Sequence, residues 1–232
     1  MVKLNLLSMD NAKTPKGENL QVLTGILYLA PAKISGYEVC PRRTEGCTKS
    51  CLYTSGRGAF SNVQKARIRR TKMFFEQREL FMSMLKLDIR LIEVMAKDKG
   101  MTPAVRLNGT SDIDWIRFGI MEEFPNVQFY DYTKVLNRLS KPLPSNYSLT
   151  FSRSGHNDIE CDAAIRMGAN VSIVFSLDKK SPMPTTWNGA PVFDGDDTDA
   201  RFLDPKQHVI GLRAKGKARY DTSGFVVQLT NN

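Results

Sequence analysis

Histidine is scarce in this chain, with only 2 in 232 residues, and His156 and His208 do not stand at metal-ligand spacing. A histidine-built metal centre is therefore not expected. His156 follows an expected strand end and is the candidate for a histidine general acid, though a surface role is the plainer reading. Ser-His-Asp order, a Walker loop and a G-x-G-x-x-G fingerprint are all missing, which removes the familiar signals for triad hydrolysis, P-loop chemistry and dinucleotide binding. No apolar run approaches the roughly eighteen residues of a membrane span. The N-terminus lacks the basic, apolar, small-residue order of a secretory signal, so export is not expected. Low-complexity tracts and exact internal repeats are also lacking.

Cysteine is sparse too, 4 in all, but unevenly placed. Cys40, Cys47 and Cys51 form a Cys-x6-Cys-x3-Cys run inside CPRRTEGCTKSCLYTSGRG (40–58), among basic and glycine residues. Clustering of this kind argues for a reducing compartment and metal chemistry rather than a disulfide framework. Three thiolates in one loop suit a soft centre, either an iron–sulfur cluster or Zn. Three cysteines and an open fourth iron is how radical S-adenosylmethionine enzymes hold their cofactor, but their usual spacing is Cys-x3-Cys-x2-Cys. A structural Zn completed by Cys161 or a histidine, and free thiols without metal, are the other readings.

The length fits a single α/β domain over 1–232 with a substantial core. A formal charge of +9 points to an anionic partner: nucleic acid, a nucleotide or a phosphorylated metabolite. The run VLTGILYLAP (22–31) reads as a buried strand delivering the cysteine loop. From Ala59 to Lys99 the pattern turns helical, with Ser61 as N-cap and a basic face of Lys65, Arg69 and Lys72. Leu80, Met84, Leu87, Leu91 and Met95 form the expected apolar stripe. Then PAVRLNG, NVQFYDYT, YSLTFSRSG, NVSIVFS and HVIGLRAKG read as strands, with DIDWIRFGIMEEF and DIECDAAIRMG as intervening helices. With the first strand the count is about six, which predicts an α/β fold with a partial, open (β/α) barrel of parallel strands, or a doubly wound sheet.

Ligands of parallel α/β folds bind at the carboxyl ends of the strands. Those ends carry Asn108, Ser111, Asp112, Tyr130, Ser152 and Arg153, expected to hold a cofactor. Lys134, Arg213, Lys215 and Lys217 are expected around an anionic substrate. Ser111 and Asp112 would serve equally as helix caps. FDGDDTDARFLDP (193–205) gathers Asp194, Asp196, Asp197 and Asp199. Close carboxylates can take Mg²⁺ or Ca²⁺, but the spacing is not that of an EF-hand, and a solvated Asx turn is the preferred reading. Asp194 or Asp196 could otherwise meet a substrate amine or ribose hydroxyl.

Several blocks together, among them CPRRTEGCTKSCLYTSGRGAF, VRLNGTSDI, VQFYDYTK, LTFSRSG, VFDGDDTDARFLDP and IGLRAKGKARYDTSGFV, resemble the bacteriophage family named gene product eighty-eight. The resemblance runs from about Leu7 to Val226. It implies a phage protein made in the cytoplasm of a host bacterium. A more distant similarity, to small radical-SAM-like phage proteins, implies a [4Fe–4S] cluster and S-adenosylmethionine, against the non-standard cysteine spacing.

Three functions follow. The first is an enzyme of radical S-adenosylmethionine type modifying a nucleotide, nucleic acid or other anionic substrate. The second is a Zn-stapled nucleic-acid-binding protein without catalysis. The third, ranked lowest, is a Mg²⁺ hydrolase on Asp194, Asp196 and Asp199.

Overall fold

A computed structural model describes residues 5–9 and 20–229; most of the polar stretch 8–19 lies outside them. In chain order the strands are β1 (Leu7–Ser8), β2 (Val22–Leu27), β3 (Thr102–Arg106), β4 (Gln128–Thr133), β5 (Tyr147–Ser152), β6 (Asn170–Phe175), β7 (Thr186–Trp187), β8 (Ala190–Asp194), β9 (Val209–Arg213) and β10 (Val226–Val227). They lie in the order β1-β2-β3-β4-β5-β6-β9-β8-β7, with β10 beside the far end of β6. From β2 to β8 every neighbouring pair is parallel, which makes seven strands where the sequence suggested about six. The sheet does not close, and β1 and β7 flank it antiparallel. Within the parallel run β8 is the unexpected strand, because APVFD opens on a proline dipeptide and ends in acid, and the two-residue β1, β7 and β10 were not expected either.

The helices are α1 (Glu45–Lys49), α2 (Ser61–Glu76), α3 (Arg78–Asp98), α4 (Ile120–Glu123) and α5 (Asp158–Arg166). The long expected helix breaks at Gln77, and Phe60, not Ser61, stands at the N-cap, without a side-chain bond. On α3 the buried stripe is Phe81, Leu85, Asp88, Ile89, Ile92 and Ala96. It lies one position from the predicted stripe, whose Leu80 and Leu87 are 52% and 51% exposed. Two apolar rows of equal spacing run side by side here, and a carboxylate interrupts the one that is buried. Asp88 is tolerated because its two oxygens accept the backbone N–H groups of Asn5, Leu6 and Leu7 at 2.6–2.9 Å. The segment DIDWIRFGIMEEF is likewise not one helix. Gly119, at φ +65°, separates a short 3-10 turn (Trp115–Phe118) from α4.

Side chains alternate across each strand, so register sorts them onto two faces. Val105, Phe129 and Leu149 join Leu85, Ile89, Ile92 and Trp115 in one core, and Phe151, Val171 and Ile173 join Cys161 and Ala164 of α5 in a second. Both cores lie on the same face. The opposite face is polar at its middle, where Tyr130, Tyr132, Thr150, Ser152 and Ser172 fall in register, and carries a small apolar cluster of Val22, Ala104 and Tyr130. A coil from β8 to β9 covers part of it, with Phe202 on Tyr130 at 5.6 Å and Asp199 on Arg106 at 2.8 Å.

Candidate metal centre

β2 runs into the cysteine loop as the sequence suggested, and the loop lies over the carboxyl ends of β3, β4 and β5. Two bonds fix it there. The Asp112 N–H donates to Val39 O at 2.7 Å, and the Thr44 hydroxyl donates to Ser154 O at 2.7 Å. Thr44 also caps α1, accepting from the Cys47 N–H at 3.1 Å. Glu38 accepts the Cys40 N–H at 2.8 Å and pairs with Arg43 at 3.0 Å, holding the entry to the loop. Gly46 of α1 packs so closely on Ser223 that no Cβ fits, so the chain near its end also braces the loop.

Cys40, Cys47 and Cys51 are all free thiols of intermediate burial. Burial pushes the Cys40 thiol up to about 12, although its sulfur accepts a bond from the Ala32 backbone and feels Lys134. Burial also raises Cys51, against the Tyr53 backbone and the charges of Lys134 and Arg67. The sulfurs act on one another electrostatically. They are neighbours rather than a closed set: among the described residues no three His, Cys, Asp or Glu side chains already form a metal-holding group. The donor set itself, three soft sulfurs in one loop, suits a soft metal or an iron–sulfur cluster. Cys161 stands apart, buried beside Phe151, Val171 and Ile173.

Lys134, expected at a substrate, feels the cysteines electrostatically. Burial pulls its ammonium down, but Cys47, Asp112, Cys40 and Cys51 hold it above its ordinary value. Asp112 is a brace: it accepts Arg138 at 2.6 Å and the Lys134 N–H at 2.9 Å. Asn108 is a hub. Its Oδ1 accepts Ser111 Oγ, the Ile113 N–H and Trp115 Nε1 at 2.8–3.1 Å, so both Asn108 and Ser111 are spent on the turn after β3. Arg153 binds Asp158 at 2.6 Å and Gly224 O at 2.8 Å. Tyr130 and Ser152 share the polar face, and Ser152 Oγ accepts from Ser172 Oγ at 3.1 Å.

Arg213 departs from expectation. It is in register with Phe175, whereas Ser152 is in register with Ser172 and Ile210, so Arg213 projects to the other face. Its partners there are Asp194 at 2.8 Å, Asp196 at 3.3 Å and Ser181 O at 2.7 Å. Lys215 pairs with Asp196 at 2.6 Å. The acidic group is thus an ion-pair partner for basic residues, with the Asp196 N–H closing an Asx turn on Asp194 at 3.0 Å. Lys217 is exposed in the turn Gly216–Tyr220, which abuts Ser55 of the cysteine loop through Gly216.

Thr44, Arg67 and Arg138 do not stand out in the sequence as site residues, and Asp131 stands out only as one of several polar groups at a strand end. Thr44 was legible as a helix cap ahead of an acid. Arg67 was hidden in the basic run 65–72, among Lys65, Arg69 and Lys72.

A protein-family model described as gene product 88 matches residues 5–229. The chain belongs to the gene product 88 family. That match spans the cysteine loop and every strand end described above. No curated protein and no solved structure matches, so the more distant likeness to radical S-adenosylmethionine proteins gains no support from these comparisons. Among the described residues of this gene product 88 protein, no helix is long and apolar enough to cross a membrane.

Proposed function

We propose that this family member is an iron–sulfur protein of the host bacterial cytoplasm. In this reading Cys40, Cys47 and Cys51 hold a [4Fe–4S] cluster, and the protein acts as a radical S-adenosylmethionine-type enzyme on a nucleotide, nucleic acid or other anionic substrate. The observation that carries this reading is three free thiols of one loop at the carboxyl edge of a parallel sheet, all of them within the electrostatic reach of Lys134. The one-sided helical cover and polar opposite face also suit a partial open (β/α) barrel whose inner wall is that polar face. When bound, a cluster with one open iron supplies one-electron reduction of a sulfonium cofactor. The chain's own part is to present three sulfurs, offset their charge with Lys134 and keep that lysine fixed through Asp112. Cys161 is not a fourth ligand in this arrangement, being enclosed by apolar side chains. That favours an open site over a closed four-cysteine Zn site.

Anaerobically purified protein should be brown, with absorbance near roughly 400 nm and matching iron and sulfide. Replacing Cys40, Cys47 or Cys51 by Ala should strip most of the metal, whereas Cys161→Ala should leave it unchanged. A colourless protein with one equivalent of Zn would instead support the nucleic-acid-binding alternative. Loss of metal in Cys161→Ala would sink the three-thiol site.

A further inference from the structure

Most strongly buried arginines here have an aspartate. Arg106 pairs with Asp199, Arg138 with Asp112, Arg153 with Asp158, Arg201 with Asp204 and Arg213 with Asp194, all at 2.6–3.2 Å. Arg67 does not. It is 7% exposed, and among the described residues neither its Nε nor its Nη1 has a hydrogen-bond partner. Its guanidinium lies 4.7 Å from the Tyr28 ring centre and 5.5 Å from that of Tyr53. Burial pulls its guanidinium below the ordinary value, and the ionisable groups acting on it are Tyr28, Cys51 and Tyr53, with no carboxylate among them. Gly58 lets the chain pass close by: a Cβ there would stand 3.3 Å from Arg67 Nη1 and 2.8 Å from Tyr53 O, so a side chain would crowd the guanidinium.

Aromatic faces attract a cation but cannot accept the in-plane N–H bonds of a guanidinium. A planar fork with free donors, held rigid between two rings beside a cysteine loop, matches the two oxygens of an oxyanion. We propose that Arg67 anchors a small-oxyanion site, taking the phosphate or carboxylate group of a ligand bound between Tyr28, Tyr53 and Cys51. Tyr28 and Tyr53 keep the guanidinium plane from turning away, and Lys134, which acts on the same Cys51 as Arg67, adds attraction for the same charge. The inference borrows only its location from the proposed metal centre.

The test titrates inorganic phosphate, pyrophosphate and acetate into the full-length protein as purified, read by calorimetry and by the tyrosine ultraviolet difference spectrum. Iron, Zn and sulfide are assayed on the same sample. One saturable site per chain should appear, with a tyrosine signal, because the two rings flank the bound group. Preference for phosphates or for acetate names the source of the anion, and either preference supports the site. Arg67→Gln should weaken binding by roughly thirtyfold or more, as when one member of a buried charge pair is lost. Arg67→Lys should fall between, keeping the charge but not the fork. Should Arg67→Gln fail to fold, the wild-type tyrosine signal and the Arg67→Lys affinity decide. Absence of saturable binding by all three anions, or equal affinity in a folded Arg67→Gln, overturns the inference. Binding in a sample without iron or sulfide upholds this site while refuting the cluster, and cluster without anion binding does the reverse.

Discussion

Asp131 shows how a single residue can be fixed by groups distant in sequence. Its carboxyl accepts the Asn108 N–H at 2.6 Å and the Tyr147 hydroxyl at 3.1 Å, and burial raises its pKa from 3.8 to about 7. Between those values the folded chain keeps a proton that the unfolded chain releases. Its contribution to stability is therefore fully present at low pH and is lost as pH rises through about 7, at up to about 1.4 kcal/mol per unit. Asp131→Asn should remove that slope, so the stability of the variant relative to wild type should improve from pH 5 to pH 8 in urea titrations. A difference independent of pH would refute this account. The cysteines were legible because soft donors stand out in any sequence. Asp131 was not, since in FYDYT it looked like one more strand-end polar group, and its partners come from the turn after β3 and from β5. Asn108 misled in the same way: its position was read correctly, but its oxygen is used up by Ser111, Ile113 and Trp115.

At the scale of elements, α3 and β1 depend on one carboxylate. Asp88→Ala would leave the N–H groups of Asn5, Leu6 and Leu7 without their acceptor. The cost should be roughly 3–5 kcal/mol, as for other broken buried charged networks, and should appear as a lower denaturation midpoint at an unchanged slope. Asp88→Asn, which retains an acceptor, should lose less. Periodicity identified the helical stretch but not its phase. Leu80 and Leu87 compete on equal terms with Phe81 and Ile89 until the sheet selects a side, and an acid in the true stripe argued for the wrong one. Strands β2, β3, β4, β5, β6 and β9 were legible as β-branched and aromatic runs ending in polar turns. β8 was obscured by its proline and its acid.

For the molecule as a whole, the +9 charge is the property the sequence states most directly. If the partner is nucleic acid, affinity for a short DNA or RNA should fall steeply with salt, the slope counting the phosphates neutralised. Binding that is flat from low to high salt would point to a small or uncharged substrate. Strand order was the least legible property, because β9 enters between β6 and β8 and nothing in local sequence announces an exchange of neighbours. This exchange has a consequence for a chain made from its N-terminus. When β8 leaves the ribosome its place is not yet available, since the strand on which it must lie has not been synthesised. It can pair with β7 as a hairpin but must wait for residues 209–213 to dock on β6 before joining the sheet. A nascent chain stalled shortly before that point would carry an open parallel edge on β6 and a tethered, unplaced hairpin. The sheet is completed out of chain order, β8 being placed only after β9.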